Sequence, residues 1–158
     1  MYQRILVPVD GSSTSTRGLD EAIELAKLTG ANLRLIHVVD ALTFATGSEL
    51  YGAYAGDLIP KMREFGEQIL EDARTRVQKR GLKVDSLLID YLPNRLSDIV
   101  AEQARDWGAD LIVIGTHGRR GVGRMLLGSD AEQIVRTAPV PVLLVRAPEV
   151  GGKAEATT

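Results

Sequence analysis

Short apolar runs rich in β-branched residues alternate with segments of helical periodicity, and this alternation restricts the fold more than any other feature of the chain. The runs are typical of strands buried on both faces of a sheet. The segments between them repeat apolar residues at i, i+3 and i+4, as helices packed on a sheet do. The alternation predicts βαβ units around a parallel sheet. The predicted strands are 4–9, 33–39, 84–90, 111–114 and 139–145.

Capping residues predict where helices begin and end. Ser12 or Ser13 can cap the first helix, and Ser129 can cap the last. A glycine directly after a periodic segment predicts its end. Residues 40–60 interrupt the alternation with a predicted loop, whose length is unusual in a compact domain and more often belongs to a lid or a binding loop. The helix-ending glycines are Gly30, Gly81 and Gly108.

The composition favours one domain, residues 1–147, followed by a small polar tail, 148–158, that we expect to be disordered. The chain contains no cysteine, which excludes disulfides, cysteine-ligated zinc and thiol chemistry. A net charge of -2 provides no basic field to attract nucleic acid, and no apolar stretch is long enough to span a membrane. We therefore expect a cytoplasmic protein that binds neither nucleic acid nor membrane.

The segment between the fourth strand and the last helix has the composition of a phosphate-binding loop. Gly115 ends the strand, and further glycines would let a ligand approach backbone N–H groups without interference from Cβ atoms. The helix that follows offers unpaired N–H groups and a partial positive charge. Arginines in the loop suit bidentate phosphate contacts, although a flexible, solvated loop would have the same composition. These arginines are Arg119, Arg120 and Arg124.

Two well-known phosphate motifs do not fit this loop. Gly123 and Gly128 have the spacing of a Walker A loop, but the lysine that reaches the terminal phosphates is missing before Ser129. The dinucleotide fingerprint fails as well, because Leu126 stands where the third glycine belongs. Neither motif therefore accounts for the glycines.

An acidic residue is expected beside the loop. In a five-stranded parallel sheet of order 3-2-1-4-5, the order reverses between strands one and four, and open α/β sheets bind ligands at that point. The carboxyl ends of these strands carry Asp10 and Gly115. The Asp10 carboxylate could accept hydrogen bonds from a ribose or an adenine amino group. An equal alternative is a turn residue that caps the first helix.

The loop and four other segments resemble the universal stress proteins, and specifically their ATP-binding subgroup. The ATP motif of that subgroup is G-x2-G-x9-G-[S/T], which Gly115, Gly118, Gly128 and Ser129 satisfy. The resemblance implies a single-domain, doubly wound, flavodoxin-like (Rossmann-like) α/β fold that binds ATP or AMP and forms a homodimer. The matching segments are 5–12, 35–40, 109–115 and 138–145.

The resemblance also assigns residues to the parts of the nucleotide. Asp10 would contact the adenosine portion, beside a base pocket lined by Pro8, Val9 and Val38. Backbone of the glycine loop would approach the ribose and phosphates, and the start of the last helix would meet the phosphate chain. The complete implied set is Pro8, Val9, Asp10, Val38, Ile114, Gly115, His117, Gly118, Arg119, Gly128, Ser129, Asp130 and Ala131.

Two of these residues depart from the subgroup's pattern. Its ATP-binding members often carry a small apolar residue where this chain has Asp130, and a hydroxyl where it has Ala131. An additional carboxylate beside a triphosphate is repulsive unless a divalent cation bridges the two. We hypothesise that Asp130 makes binding magnesium-dependent or shifts the preference toward fewer phosphates. No residue is assigned as a firm metal ligand.

The two histidines are expected to be non-catalytic. His117 lies in the loop, but no acid or nucleophile is evident at a suitable spacing, so a general-base role has no partner. As the resemblance implies, we expect its backbone to matter more than its ring. His37 lies among apolar residues of the second strand and is expected to be a core histidine with satisfied hydrogen bonds.

The last strand predicts a partner. Residues 142–145 contain neither charge nor proline, although an edge strand usually needs one against unwanted pairing. The resemblance implies a symmetric homodimer through this region. The leading functional hypothesis is a stress-response regulator whose nucleotide occupancy is sensed by an unknown protein partner. The alternatives are a slow ATPase or phosphotransferase, which the missing Walker lysine disfavours, and a dimeric scaffold that binds no nucleotide.

Overall fold

The computed structural model describes residues 1–39, 51–90, 94–117 and 127–146, with backbone alone for 51–57. All strand pairs within these ranges are parallel, and their order is β3-β2-β1-β4-β5. The predicted α/β fold and strand order are thereby confirmed, while the tail 148–158 lies outside the described residues. In chain order the elements are β1 (Arg4–Pro8), α1 (Ser13–Thr29), β2 (Asn32–Val39), α2 (Tyr51–Gln78), β3 (Val84–Asp90), α3 (Leu96–Trp107), β4 (Leu111–Gly115), α4 (Ser129–Thr137) and β5 (Val142–Val145).

Helices cover both faces of the sheet, because successive strand residues point to opposite sides. Val7 belongs to the first core cluster, in which α1 and α2 pack on one face. Its neighbour Leu6 belongs to the second core cluster, in which α3 and α4 pack on the other. The strand order reverses between β1 and β4 because the helices that follow these strands, α1 and α4, pack on opposite faces of the sheet.

The predicted caps of α1 are confirmed. The Ser12 hydroxyl accepts a 3.1 Å hydrogen bond from the Ser15 amide at the start of the helix. Gly30 follows the last turn with φ of 74°, a left-handed conformation that glycine adopts without Cβ strain. Gly108 ends α3 in the same way, with φ of 68°. Both helices therefore end at the glycine that the local sequence predicts.

Two predicted boundaries are wrong. The predicted loop 40–60 ends early, because α2 begins at Tyr51 and contains Pro60. A proline inside a helix removes one backbone hydrogen bond and normally breaks the helix, but α2 continues through this one. The fifth strand begins at Val142 rather than at 139. Pro141 already lies beside β4, since its carbonyl accepts a 3.0 Å hydrogen bond from the amide of Ile112. It is not part of β5, and it has no N–H to donate to the ladder.

Candidate functional site

The reversal point is built from the β1–α1 turn on one side and the β4–α4 connection on the other. At Gly115 the last residue of β4 lies directly against the first turn of α1. A Cβ on Gly115 would stand 2.8 Å from the carbonyl carbon and oxygen of Thr14. Gly18, one turn later in α1, would place its own Cβ 3.2 Å from the Gly115 nitrogen. These two glycines let α1 pack closely on β4, a structural reason for Gly115 that the sequence did not predict.

Asp10 lies in the β1–α1 turn and is bonded within it. Its Oδ1 accepts a 2.8 Å hydrogen bond from the Ser12 amide, and its own amide donates to the Ser15 hydroxyl at 3.2 Å. The helix cap itself is Ser12. Asp10 therefore acts as a turn residue, which is one of the two roles predicted for it. Its carboxylate orders Ser12, the residue that caps α1. A carboxylate accepts several hydrogen bonds, so this contact is compatible with a ligand contact.

The β4–α4 connection is closed by backbone hydrogen bonds at its two ends. The Thr116 amide donates to the Val145 carbonyl at 2.9 Å, which extends the ladder between β4 and β5. The Thr116 carbonyl in turn accepts a 2.8 Å hydrogen bond from the Gly128 amide. The start of α4 therefore lies beside the carboxyl end of β4. Gly118, Arg119 and the other two arginines of the loop lie outside the described residues.

The cap of α4 differs from the prediction. Gly128 is the N-cap, with a non-helical ψ of 149° at a φ of -59°, and Ser129 is already the first helical residue. The Gly128 carbonyl accepts the first hydrogen bond of the helix from Glu132. Because Ser129 has helical conformation, its side chain does not serve as the cap.

The start of α4 offers open hydrogen-bond donors. A helix cannot satisfy its first amides internally. Within the part of the chain that the structure describes, the amides of Ser129, Asp130 and Ala131 have no acceptor. These donors and the helix dipole would favour an anion, while Asp130 and Glu132 add negative side chains to the same turn. Glu132 is paired with Arg136 at 2.8 Å.

The apolar side chains of the implied nucleotide site, which include the three predicted base-pocket residues, fall largely on one face of the sheet. Ile114 and Ala131 are buried in the second core cluster, on the α3 and α4 side. Pro8 and Val38 follow Leu6 and Ile36 by two positions in their strands, so alternation places them on that side as well. Val9 instead belongs to the first core cluster. Ile114 and Ala131 are nearly inaccessible, so they can offer a ligand little beyond backbone.

The environments of the two histidines differ. His37 is 8% exposed, and its Nδ1 lies 2.7 Å from the Val9 carbonyl oxygen, as expected of a satisfied core histidine. His117 is half-buried, and its Nδ1 lies 3.0 Å from the Thr116 hydroxyl. Its Nε2 is buried without a hydrogen-bond partner among the described residues. Thr116, whose hydroxyl and backbone both act here, was missed because a threonine after a strand carries no distinctive signal.

A separate cleft of about 310 Å³ lies between α1 and α2, on the opposite face from Ile114 and Ala131. It is adjacent to the β1–α1 turn but includes no residue of the β4–α4 connection. In the described part of the chain, no three potential metal-ligating side chains come together. None of the described helices is long and apolar enough to cross a membrane. The lining residues of the cleft are Val9, Gly11, Ser15, Thr16, Leu19, Phe65, Gln68, Ile69, Asp72, Ala73 and Arg76.

Comparison with known proteins gives one consistent result. The sequence model of the universal stress protein family matches residues 1–146. The chain is 34% identical over 150 residues to universal stress protein MJ0531 of Methanocaldococcus jannaschii, an alignment that covers 94% of this chain and 85% of that protein. Among solved structures, the hypothetical protein MJ0577 is similar with a TM-score of 0.81 at 26% identity, covering 94% of this chain and 99% of the other. A universal stress protein solved in complex with cAMP is similar with a TM-score of 0.64 at 25% identity, covering 92% and 97%.

Proposed function

The chain belongs to the universal stress protein family, and from this membership and the geometry at the β1–β4 reversal point we propose that it binds an adenine nucleotide, ATP or AMP. Occupancy of the site, rather than turnover, would be the signal that a regulatory protein partner senses. As a stress-response protein of this kind it would act in the cytoplasm. The related protein solved with cAMP supports the class of ligand.

The observation that carries the proposal is the set of open amides at Ser129, Asp130 and Ala131. They lie at the carboxyl edge of a doubly wound sheet, at the reversal of strand order where such sheets bind ligands. The hydrogen bond between Thr116 and Gly128 fixes them there. A phosphate group satisfies such donors, and the G-x2-G-x9-G-S spacing of the sequence supports the same class of ligand.

The adenosine portion would lie toward β1 and β2. Pro8 and Val38 are on the same face as the start of α4, and apolar side chains in that position suit a purine ring. Asp10 would accept hydrogen bonds from the ribose or the adenine amino group. The nucleotide would therefore bridge the two turns that meet at the reversal point.

Thermal unfolding with and without ligand tests the proposal. A ligand bound only by the native state raises stability by about 2.7 kcal/mol at a concentration one hundred times its dissociation constant. We expect ATP or AMP to raise the midpoint, whereas sodium chloride at equal ionic strength should not. Mass spectrometry of the purified protein would identify any nucleotide retained from the cell. No shift with any adenine nucleotide would contradict the proposal and favour a scaffold that binds none, while phosphate release over hours would favour the slow ATPase.

We also propose that the protein is a homodimer through β5. This strand is the edge of the sheet in the described structure, and Leu144 in it is 36% exposed. Neither charge nor proline lies within Val142–Val145 to prevent pairing with a second strand. A second copy of the same edge would complete the ladder and cover Leu144.

A further inference from the structure

The peptide that joins Val9 to Asp10 is held at both of its polar ends. Its carbonyl oxygen lies 2.7 Å from Nδ1 of His37, a residue of β2. Its N–H donates to the hydroxyl of Ser15, a residue of α1, at 3.2 Å. The preceding amide, that of Val9, donates to the Ile36 carbonyl at 2.8 Å and continues the ladder beyond β1. Neighbouring elements thus fix the chain directly before the Asp10 Cα.

The contact with Val9 determines the hydrogen position on the His37 ring. A carbonyl oxygen can only accept, so Nδ1 must carry the hydrogen. The neutral ring is therefore the Nδ1–H tautomer. His37 is 8% exposed, so its ring is shielded from solvent water that could take over the bond to Val9.

The close approach of α2 to the sheet holds the His37 ring in place. A Cβ on Gly66 would stand 2.7 Å from Cδ2 of His37 and 2.8 Å from Cδ1 of Leu88. Real Cβ atoms do not approach so closely, so the glycine makes room for the imidazole between α2 and the sheet. The His37 ring therefore has little freedom to rotate away from Val9.

We infer that His37 is a positioning residue for Asp10 in the nucleotide site, and this inference rests on the proposed function. The Asp10 carboxylate is oriented by the peptide before it and by the Ser12 amide, which donates to Oδ1 at 2.8 Å. Without the His37 donor, the Val9 carbonyl could rotate and carry the Asp10 Cα with it. The contact would act on the adenosine end of the site alone, because the phosphate end is built from β4 and α4.

The test compares two ligands on four variants of the full chain. Adenosine probes the Asp10 end, and inorganic triphosphate probes the start of α4. His37→Leu removes the donor, and we expect adenosine to bind about tenfold more weakly, with triphosphate affinity unchanged. His37→Asn keeps an N–H close to the position of Nδ1 and should restore most of the adenosine affinity. Ser15→Ala removes the other end of the restraint and should reproduce the selective loss, whereas Thr29→Ala, which deletes a hydroxyl at the far end of α1, should bind both ligands normally.

Each outcome distinguishes the inference from the proposed function. Wild-type protein that binds neither adenosine nor ATP overturns the proposed function and the role of His37 together. Wild-type binding with unchanged adenosine affinity in both His37→Leu and Ser15→Ala overturns the inference alone. An equal loss of both ligands that His37→Asn does not restore also overturns it, since a general packing defect would do the same. If His37→Leu does not fold, Ser15→Ala carries the comparison, and ¹⁵N spectra of the wild-type ring provide a second measurement, in which an Nε2–H tautomer would overturn the inference.

Discussion

The amide of Gly128 donates a 2.8 Å hydrogen bond to the carbonyl of Thr116, and this bond joins the two ends of the glycine-rich connection. Thr116 is itself anchored, since its amide donates to Val145 in β5. A Cβ at Gly128 would stand only 3.1 Å from the Thr116 oxygen. The φ of Gly128 is negative, so glycine is needed here for the close approach rather than for backbone conformation.

Substitution of Gly128 should therefore weaken nucleotide binding more than it weakens the fold. In Gly128→Ala the Cβ presses on a backbone oxygen, and relief requires the start of α4 to move away from β4. We expect ATP affinity to fall about tenfold, equivalent to ~1.4 kcal/mol, measured by isothermal titration calorimetry. Gly30→Ala is the matched control, because its left-handed φ of 74° imposes a strain of about 1–2 kcal/mol far from the site. That control should lower the unfolding midpoint and leave ATP affinity unchanged, and the reverse pattern would contradict the prediction.

Magnesium should matter more for ATP than for AMP because of Asp130. Its exposed carboxylate lies in the first turn of α4, beside the open amides that would hold phosphate. We expect Asp130→Asn to strengthen magnesium-free ATP binding about fivefold, equivalent to ~1 kcal/mol of removed repulsion, and to change AMP binding little. Titrations of both nucleotides with and without Mg²⁺ measure this.

Glu132→Gln is the control for the Asp130 prediction. Glu132 lies in the same turn, but Arg136 already pairs with it at 2.8 Å, so its removal should change ATP affinity much less. Equal effects of the two substitutions would indicate a general charge effect of the turn. An unchanged magnesium dependence in Asp130→Asn would contradict the role assigned to that carboxylate.

The strand pattern was predictable from sequence because it depends on local periodicity. Each predicted strand is present within a few residues of its predicted range, and the order follows from handed crossovers. The start of α2 at Tyr51 was not predictable, since Pro60 signals a break, yet the helix continues through it. Boundaries of this kind depend on packing that a single sequence does not display.

The position of the candidate site's residues in the fold was predictable, but the contacts between them were not. Sequence reasoning brought Asp10 and Gly115 to one edge of the sheet, yet it explained Gly115 by ligand approach alone. The structure adds the contact with Thr14, a residue about one hundred positions away in sequence, which no local pattern reveals. The N-cap of α4 is Gly128 rather than the predicted Ser129 for a similar reason. The Thr116 carbonyl, which is distant in sequence, fixes the Gly128 amide.

The stability of the α1–α2 contact should depend on pH through Asp20. Nε and Nη2 of Arg76 donate to its two carboxylate oxygens at 2.6 and 2.8 Å, and this pairing holds the pKa of Asp20 below its ordinary value of 3.8. A lowered folded-state pKa contributes stability above the ordinary value, and the contribution is lost as the pH falls through the folded value. Because the pair is at the surface, we expect Asp20→Asn to cost about 0.5 kcal/mol at pH 7.

Urea unfolding of the wild type and Asp20→Asn from neutral to acidic pH checks this dependence. The two proteins should differ at pH 7 and converge below pH 3.8, where the wild-type carboxyl becomes protonated. Glu71→Gln is the control, since Glu71 and Arg74 are separated by 3.5 Å on the exposed surface of α2. A difference between wild type and Asp20→Asn that persists undiminished in acid would show that the ionised pair is not its source.

Replacement of Leu144 by lysine should convert the proposed dimer to a monomer. Leu144 lies in the edge strand β5 and is 36% exposed, so a charge there would be buried against a second copy while remaining solvated in the monomer. Sedimentation equilibrium of wild type and Leu144→Lys measures the mass, and circular dichroism verifies that the fold is retained. Leu28→Lys introduces the same charge at a leucine that is 83% exposed near the end of α1, and should leave the mass unchanged. A dimer that persists in Leu144→Lys would contradict association through β5, because an uncompensated lysine in that interface would cost several kcal/mol.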